Sequence, residues 1–287
     1  ADCVLVVGSH LGDQPTLDWR VPAPGTRIVQ IDADPAEIGR NYPHTLPLPA
    51  DPRTALEALA EMLAATPRDD AFARRAADRM AAWRAAMAPH FASDAVPIRP
   101  DRLCAAITEA LPKDAILVAD TGYSGIWTAT CVELAPPQTY LRAAGSLGWS
   151  FPAAIGAKCA CPDRPVLCFA GDGAIHYHLG ELETARRLGL PLVVVINNNG
   201  GFGQGLPNVR RLQGNRPGNF AEIIRFGPTD FAAVARAFGV RGIRVEDPAA
   251  IAPALKDALA HPGPVVVDVA TDIEVRAPEP WIPEEHR

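Results

Sequence analysis

The chain has 287 residues, 48% of them hydrophobic and 21% charged, an ordinary globular composition with length for about two domains. Its formal net charge is -6 and its pI about 5.7, and the arginine pairs at 74–75, 186–187 and 210–211 read as solvated faces, which excludes a nucleic-acid-binding surface. No apolar run approaches the roughly 20 residues that span a bilayer, no signal peptide is visible, and the six cysteines form no CxxC pair and read as reduced, buried apolar side chains, so the expectation is a cytoplasmic protein without a membrane partner.

The first segment predicts a strand over Val4–Val7 ending in a glycine turn, then a strand over Arg27–Ile31 that runs into DADP. A short helix through Ile38 follows, and then a helix from Pro52 to Leu63 with Asp51 as its N-cap. Two strands are too little sheet for an independent domain, and the chain starts abruptly on a core strand. Residues 1–66 are therefore expected to be the second half of a domain, with something upstream absent. Residues 67–97 are expected to connect: Asp69–Ala88 reads as a helix with Phe72, Met80, Trp83 and Met87 near one stripe, as packing residues.

Residues 98–275 then alternate. The prediction runs helix Asp101–Leu111, strand Ala115–Ala119, a glycine turn in DTGYSG, helix Phe151–Cys159, strand Val166–Ala170, helix His176–Leu188 and strand Leu192–Ile196. After an irregular stretch from Gly200 come helix Asp230–Phe238, strand Val240–Val245, helix Ala249–His261 and strand Pro264–Val269, leaving 276–287 as a tail. The alternation predicts an α/β fold with a parallel sheet covered by helices on both faces, because parallel pairing needs crossover connections. Ligands of such sheets bind at the carboxyl ends of strands, here AD at 119–120, AGDG at 170–173 and INNNGG at 196–201.

Asp172 and Asn199 lie 27 positions apart (199 − 172), the length of one helix plus one strand, so a single crossover puts them on the same edge of the sheet. A carboxylate, an amide oxygen and a freed backbone carbonyl are the hard oxygen donors that Mg²⁺ or Ca²⁺ selects, with positions left for a phosphate. Gly171 and Gly173 are expected to admit a bulky anion, a helix opening near Ile175 to aim N–H groups at it, and Gly200 and Gly201 to use positive φ to turn a carbonyl toward the metal. No GxxxxGK[ST] loop is present, so the ligand need not be a nucleoside triphosphate. His176 and His178, two residues apart on a helix, face different ways and read as packing or site lining, and Glu181 and Glu183 read as ordinary helix positions.

The stretch from GDG through NNNGGFG resembles the thiamine diphosphate (ThDP) motif of the acetolactate synthase and pyruvate oxidase family. The resemblance implies a ThDP-binding fold preceded by a partial Rossmann-like central domain, with Asp172, Asn199 and the Gly201 carbonyl as metal ligands. Gly171, Gly173, Ala174, Phe202 and Gly203 are implied as coenzyme neighbours. GSLGWSF is similar to the segment whose glycine carbonyl, Gly145, accepts the coenzyme's amino group and whose apolar residue, Leu147, props its bent shape, with Ser146 between them. DTGYSG resembles the diphosphate loop and makes Gly122, Tyr123 and Ser124 candidates.

The opening segment is similar to half of the family's central domain, where Gly8, Ser9, Asp32 and Asp51 fall at an FAD or ADP site, with His10 in place of a frequent arginine. The family's pyrimidine-binding domain, with the glutamate that activates the coenzyme, is absent from this sequence, so that domain or chain is an implied partner, in a homo-oligomer or hetero-oligomer. The implied reaction is decarboxylation of a small 2-oxo acid or carboligation. Gln204, Gly205 and Asn208 stand where acetolactate synthases carry Met, Val and Trp, so the pocket wall is altered, and NNGG is similar to the loop of oxalyl-CoA decarboxylases. An acyl-CoA lyase or decarboxylase, and a non-catalytic nucleotide-binding or assembly subunit, stay open as alternatives.

Overall fold

A computed structural model describes residues 1–13, 15–66, 70–214, 219 and 221–278. Asp69 of the expected connecting helix, residues 215–218 of the irregular stretch and the tail from residue 279 lie outside the described residues. The chain divides into two compact units, the first ending at Arg79 and the second beginning at Met80.

The first unit holds a parallel sheet of β1 (Cys3–Val7), β2 (Arg27–Asp32) and β3 (Thr45–Pro49), in that spatial order, followed by α1 (Pro52–Leu63). Asp51 caps α1, its Oδ1 accepting the Thr54 N–H at 3.0 Å. Two features differ from expectation. The helix through Ile38 is replaced by turns over residues 35–39, with Gly39 at φ +72° donating its N–H to Gln30 Oε1 at 2.9 Å. A third strand, β3, was not foreseen because Pro47 and Pro49 argue against a strand, yet at the sheet edge a missing N–H costs no ladder bond. The unit boundary falls inside α2 (Ala71–Phe91).

In the second unit the order is α3 (Pro100–Ala110), β4 (Ile116–Ala119), α4 (Tyr123–Cys131), β5 (Thr139–Arg142), α5 (Ser150–Ala160), β6 (Val166–Gly171) and α6 (Asp172–Ile175). A 3-10 turn at His176–His178 leads to α7 (Glu181–Arg187), β7 (Leu192–Asn198), α8 (Leu206–Gln213), α9 (Ala221–Ile224), α10 (Phe231–Ala237), β8 (Arg241–Val245), α11 (Ile251–Ala260) and β9 (Val265–Ala270). The expected helix His176–Leu188 is thus broken into pieces around Gly180, and its first turn starts earlier, at Asp172. The sequence did not announce α4, β5, α8 or α9.

All six strands are parallel, in the order β5-β4-β6-β7-β9-β8. The two-residue period of β6 and β7 serves both faces. Leu167, Phe169, Val193 and Val195 pack with Ile107 and Trp127 on one face, while Cys168, Ala170, Val194 and Ile196 pack with Phe151, Leu182 and Phe231 on the other. Full burial of each large side chain contributes about 1.5–3 kcal/mol, and burial on both faces is why these strands are apolar without alternation.

The strand order also locates the ligand crevice. From β4 the chain moves to β5 on one side and then returns past β4 to β6 on the other. The covering helices follow suit, α4 on the Trp127 face and α5 on the Phe151 face. Between the carboxyl ends of β4 and β6 the connections diverge, and such a switch point leaves a cleft.

Candidate functional site

Four chain segments meet at that cleft, which has a volume of about 300 Å³. The turn after β4 contributes Thr121, Gly122, Tyr123 and Ser124, and the loop between β5 and α5 contributes Gly145 and Leu147. The turn after β6 brings Gly171, Asp172, Gly173 and Ala174, and the loop after β7 brings Asn197, Asn199, Gly201, Phe202, Gly203, Gln204 and Gly205. Of the residues singled out in these segments, Ser146, which is solvent-exposed, and Gly200 are outside the cleft lining. Thr121 and Asn197 join the lining without having been foreseen.

The centre of the site is Asp172, only 3% exposed. Its Oδ1 accepts the Gly173 N–H at 2.7 Å, and its Oδ2 accepts the N–H groups of Gly200 at 2.6 Å and Gly201 at 3.0 Å. The Gly201 N–H is shared with Asn199 Oδ1, at 3.1 Å. The carboxylate and the amide oxygen therefore converge on one hydrogen, at the ends of neighbouring strands. Burial pushes the Asp172 carboxyl up to about 6, against the opposing pull of the three glycine amides and nearby His176.

These residues fit a divalent cation of the hard kind. A buried carboxylate short of positive charge, an amide oxygen and the Gly201 carbonyl form an oxygen-only donor set. The Gly201 carbonyl accepts the Gly203 N–H at 3.0 Å, and its second lone pair is available. Among the described residues no group of three or more His, Cys, Asp or Glu gathers at a point, so a soft transition-metal centre has no ligand set there.

Each of three consecutive asparagines has a separate task. Asn197 Oδ1 accepts the Thr271 hydroxyl at 2.6 Å. Asn198 donates to Asp268 Oδ1 and to the Thr229 carbonyl, both at 2.9 Å. Asn199, whose Oδ1 accepts the Gly201 N–H, carries no tie to β9 and faces the cleft. Asp268, fully buried, also accepts the Phe231 N–H at 2.8 Å and pairs with Arg244 at 2.8 Å, so the loop after β7 is tied to β9 and, through Arg244, to β8.

The glycines act differently from expectation. Gly200 has positive φ, +72°, but Gly201 does not; a side chain there would collide with the Ile224 carbonyl. At Gly173 a Cβ would lie 2.6 Å from Phe202 Cε1, so the ring of Phe202 rather than an approaching anion demands glycine. The helical turn expected near Ile175 opens at Asp172 and lasts four residues. A longer helix start is α4, whose N-cap Gly122 has φ +70°.

Other residues are placed more simply. Gln204 Oε1 stands 3.1 Å from where a Gly122 side chain would begin, so it crosses the cleft mouth. His176 packs edge-on against Phe226 and Phe231, at 5.5 and 5.0 Å between centroids, and His178 stands close to Gly148. Glu183 forms an exposed helix pair with Arg187. In the first unit Gly8, Ser9, Asp32 and Asp51 gather at the carboxyl ends of β1, β2 and β3. Asp32 Oδ1 accepts the Asp34 N–H at 2.9 Å, while the cap to Thr54 holds Asp51 below its ordinary pKa.

Comparison with known proteins gives a consistent pattern. Residues 120–269 match the C-terminal TPP binding domain of thiamine pyrophosphate enzymes, and residues 1–59 match their central domain. The chain is 33% identical over 275 residues to the acetolactate synthase large subunit of Parasynechococcus marenigrum, covering 93% of this chain and 43% of that one. It is 28% identical over 286 residues to the probable acetolactate synthase large subunit of Methanococcus aeolicus, covering 95% and 47%. Among solved structures, the Rhodococcus jostii RHA1 thiamine diphosphate-dependent 4-hydroxybenzoylformate decarboxylase superposes with a TM-score of 0.71 at 26% identity, over 94% of this chain and 49% of that one. The chain spans about half the length of the curated relatives it matches. No described helix is long and apolar enough to cross a membrane.

Proposed function

The chain belongs to the thiamine pyrophosphate enzyme family, and from that premise we propose that it supplies the diphosphate-binding half of a ThDP- and Mg²⁺-dependent decarboxylase or carboligase acting on a small 2-oxo acid. The carrying observation is the convergence of Asp172 Oδ2 and Asn199 Oδ1 on one N–H at adjacent strand ends.

Bound there, ThDP supplies a carbon nucleophile and an electron sink. The rest is positioning by this chain. Asp172, Asn199 and the Gly201 carbonyl hold Mg²⁺, and the α4 start at Gly122–Ser124 offers N–H groups to diphosphate oxygens. On the opposite wall the Gly145 carbonyl and the Leu147 side chain would hold the coenzyme's other end. Holding both ends of one ligand is a proximity contribution. In this reading 98–275 is the diphosphate-binding domain, 1–66 the partial central domain, and the activating glutamate comes from a pyrimidine-binding domain or partner chain in an oligomer. Gln204 and Gly205 border the substrate, and the strand ends carrying Gly8, Ser9, Asp32 and Asp51 take an FAD or ADP adenosine, which flavin absorbance of the purified protein and calorimetric titration with ADP check.

Calorimetric titration of the native protein with ThDP and Mg²⁺ is the test. Metal-dependent binding that is lost in Asp172→Ala is expected; binding that ignores the metal, or survives the substitution, refutes the site. Product analysis with pyruvate, benzoylformate and acyl-CoA donors then separates a 2-oxo acid enzyme from an acyl-CoA one.

A further inference from the structure

Asp120 directly follows β4 inside the second unit and is fully buried, at 0% exposure. Its own N–H is fixed to the Phe169 carbonyl of β6 at 3.0 Å. The carboxylate reaches two other segments. Oδ1 accepts the Thr121 N–H at 2.9 Å and the Gly148 N–H at 3.0 Å, and Oδ2 accepts the Ser150 N–H at 2.8 Å. Thr121 opens the turn that leads to Gly122, Tyr123 and Ser124. Gly148 closes the loop of Gly145 and Leu147, and Ser150 starts α5. One oxygen thus joins the two walls of the cleft.

We propose that Asp120 is a positioning residue that sets the separation between the diphosphate wall at Gly122–Ser124 and the opposite wall at Gly145–Leu147, and so the fit of a ligand long enough to touch both; this rests on the coenzyme reading above. The residue type follows from the donors. Three amides converge on two oxygens, which a carboxylate accepts with charge-assisted bonds. A carboxamide of the same shape keeps one oxygen and turns an NH₂ toward an N–H. The loop has little freedom to compensate, because Gly148, at φ +91°, has Tyr177 Cβ 2.8 Å and the Ala174 carbonyl 3.2 Å from the position of a Cβ. A site whose elements must hold to about 0.5 Å is sensitive to such a tie.

The test compares two ligands in the native protein with Mg²⁺ present: ThDP, which needs both walls, and inorganic pyrophosphate, which needs one. In Asp120→Asn the ratio of ThDP affinity to pyrophosphate affinity is expected to fall about tenfold, the scale of one lost hydrogen bond to a charged group, with pyrophosphate affinity and the native circular dichroism retained. A general loosening of the domain would weaken both ligands together, and an unchanged ratio overturns the inference while leaving the coenzyme site intact. A wild-type protein that binds neither ligand overturns the coenzyme reading, and this inference with it. Should Asp120→Asn fail to fold, Asp120→Glu keeps the charge and displaces it by a methylene, and the same fall in the ratio is expected. Loss of the fold in both variants overturns the positioning role in favour of a core requirement.

Discussion

The buried charge at Asp172 makes a prediction about stability that needs no substrate. In the folded protein without a divalent cation its carboxyl titrates at about 6 rather than at its ordinary 3.8, because burial outweighs the glycine amides and His176. The folded state therefore keeps this proton over a range where the unfolded chain has released it, and stability falls as pH rises through that window. The gap is worth about 3 kcal/mol, at about 1.4 kcal/mol per pH unit. Asp172→Asn removes the titration. Urea unfolding in the presence of a chelator, from pH 4 to 7, should show the variant gaining up to about 3 kcal/mol on the wild type across the range. The buried Trp127 of the same unit provides the fluorescence signal. Mg²⁺ with ThDP at pH 7 should then reverse the order, since ligand at about a thousand times its Kd stabilises the wild type by about 4.1 kcal/mol and the variant hardly at all. A stability difference that does not change with pH would refute the reasoning, because it would mean that the carboxylate carries no burial cost.

Two further perturbations address the scaffold. Gly173→Ala places a methyl against the Phe202 ring and should destabilise by about 1–3 kcal/mol; the loss should shrink when Phe202→Leu is added, measured as a double-mutant cycle in thermal unfolding. Asp268→Ala leaves the Phe231 N–H without its acceptor and removes one of two partners from the Asn198 amide and from the Arg244 guanidinium, and should cost about 3 kcal/mol. It should also weaken Mg²⁺-dependent coenzyme binding in calorimetry, although Asp268 does not line the cleft.

Legibility in the sequence depended on how far apart the interacting residues lie. Asp172 and Asn199 stood out because each interrupts an apolar run at a strand end, and a single crossover leaves little choice about which edge they share. Asp120 was visible only as a strand end, since its partners Gly148 and Ser150 follow a turn, a helix and another strand. Asn198 and Asp268 meet across 70 positions, a pairing that no local pattern encodes. Among the elements, β3 and β5 were missed for their prolines or their brevity at sheet edges, where tertiary pairing rather than propensity supports a strand. For α4 the reason was its glycine, threonines and aromatic residues, weak helix formers that burial of Trp127 on the sheet overrides.

By itself the sequence determined the α/β class, the parallel sheet and the polar corners at the ends of β6 and β7, because apolar periodicity and glycine punctuation are local properties of the chain. Only the tertiary structure decided that β4 and β6 flank the switch point. It also decided that Gly173 and Gly201 are glycines for lack of room, and that Asp120, Asn198 and Asp268 tie the cleft walls and the metal loop in place. The physical reason is that close packing and buried hydrogen bonds select partners by distance in space, and residues dozens of positions apart become neighbours only once the sheet has formed.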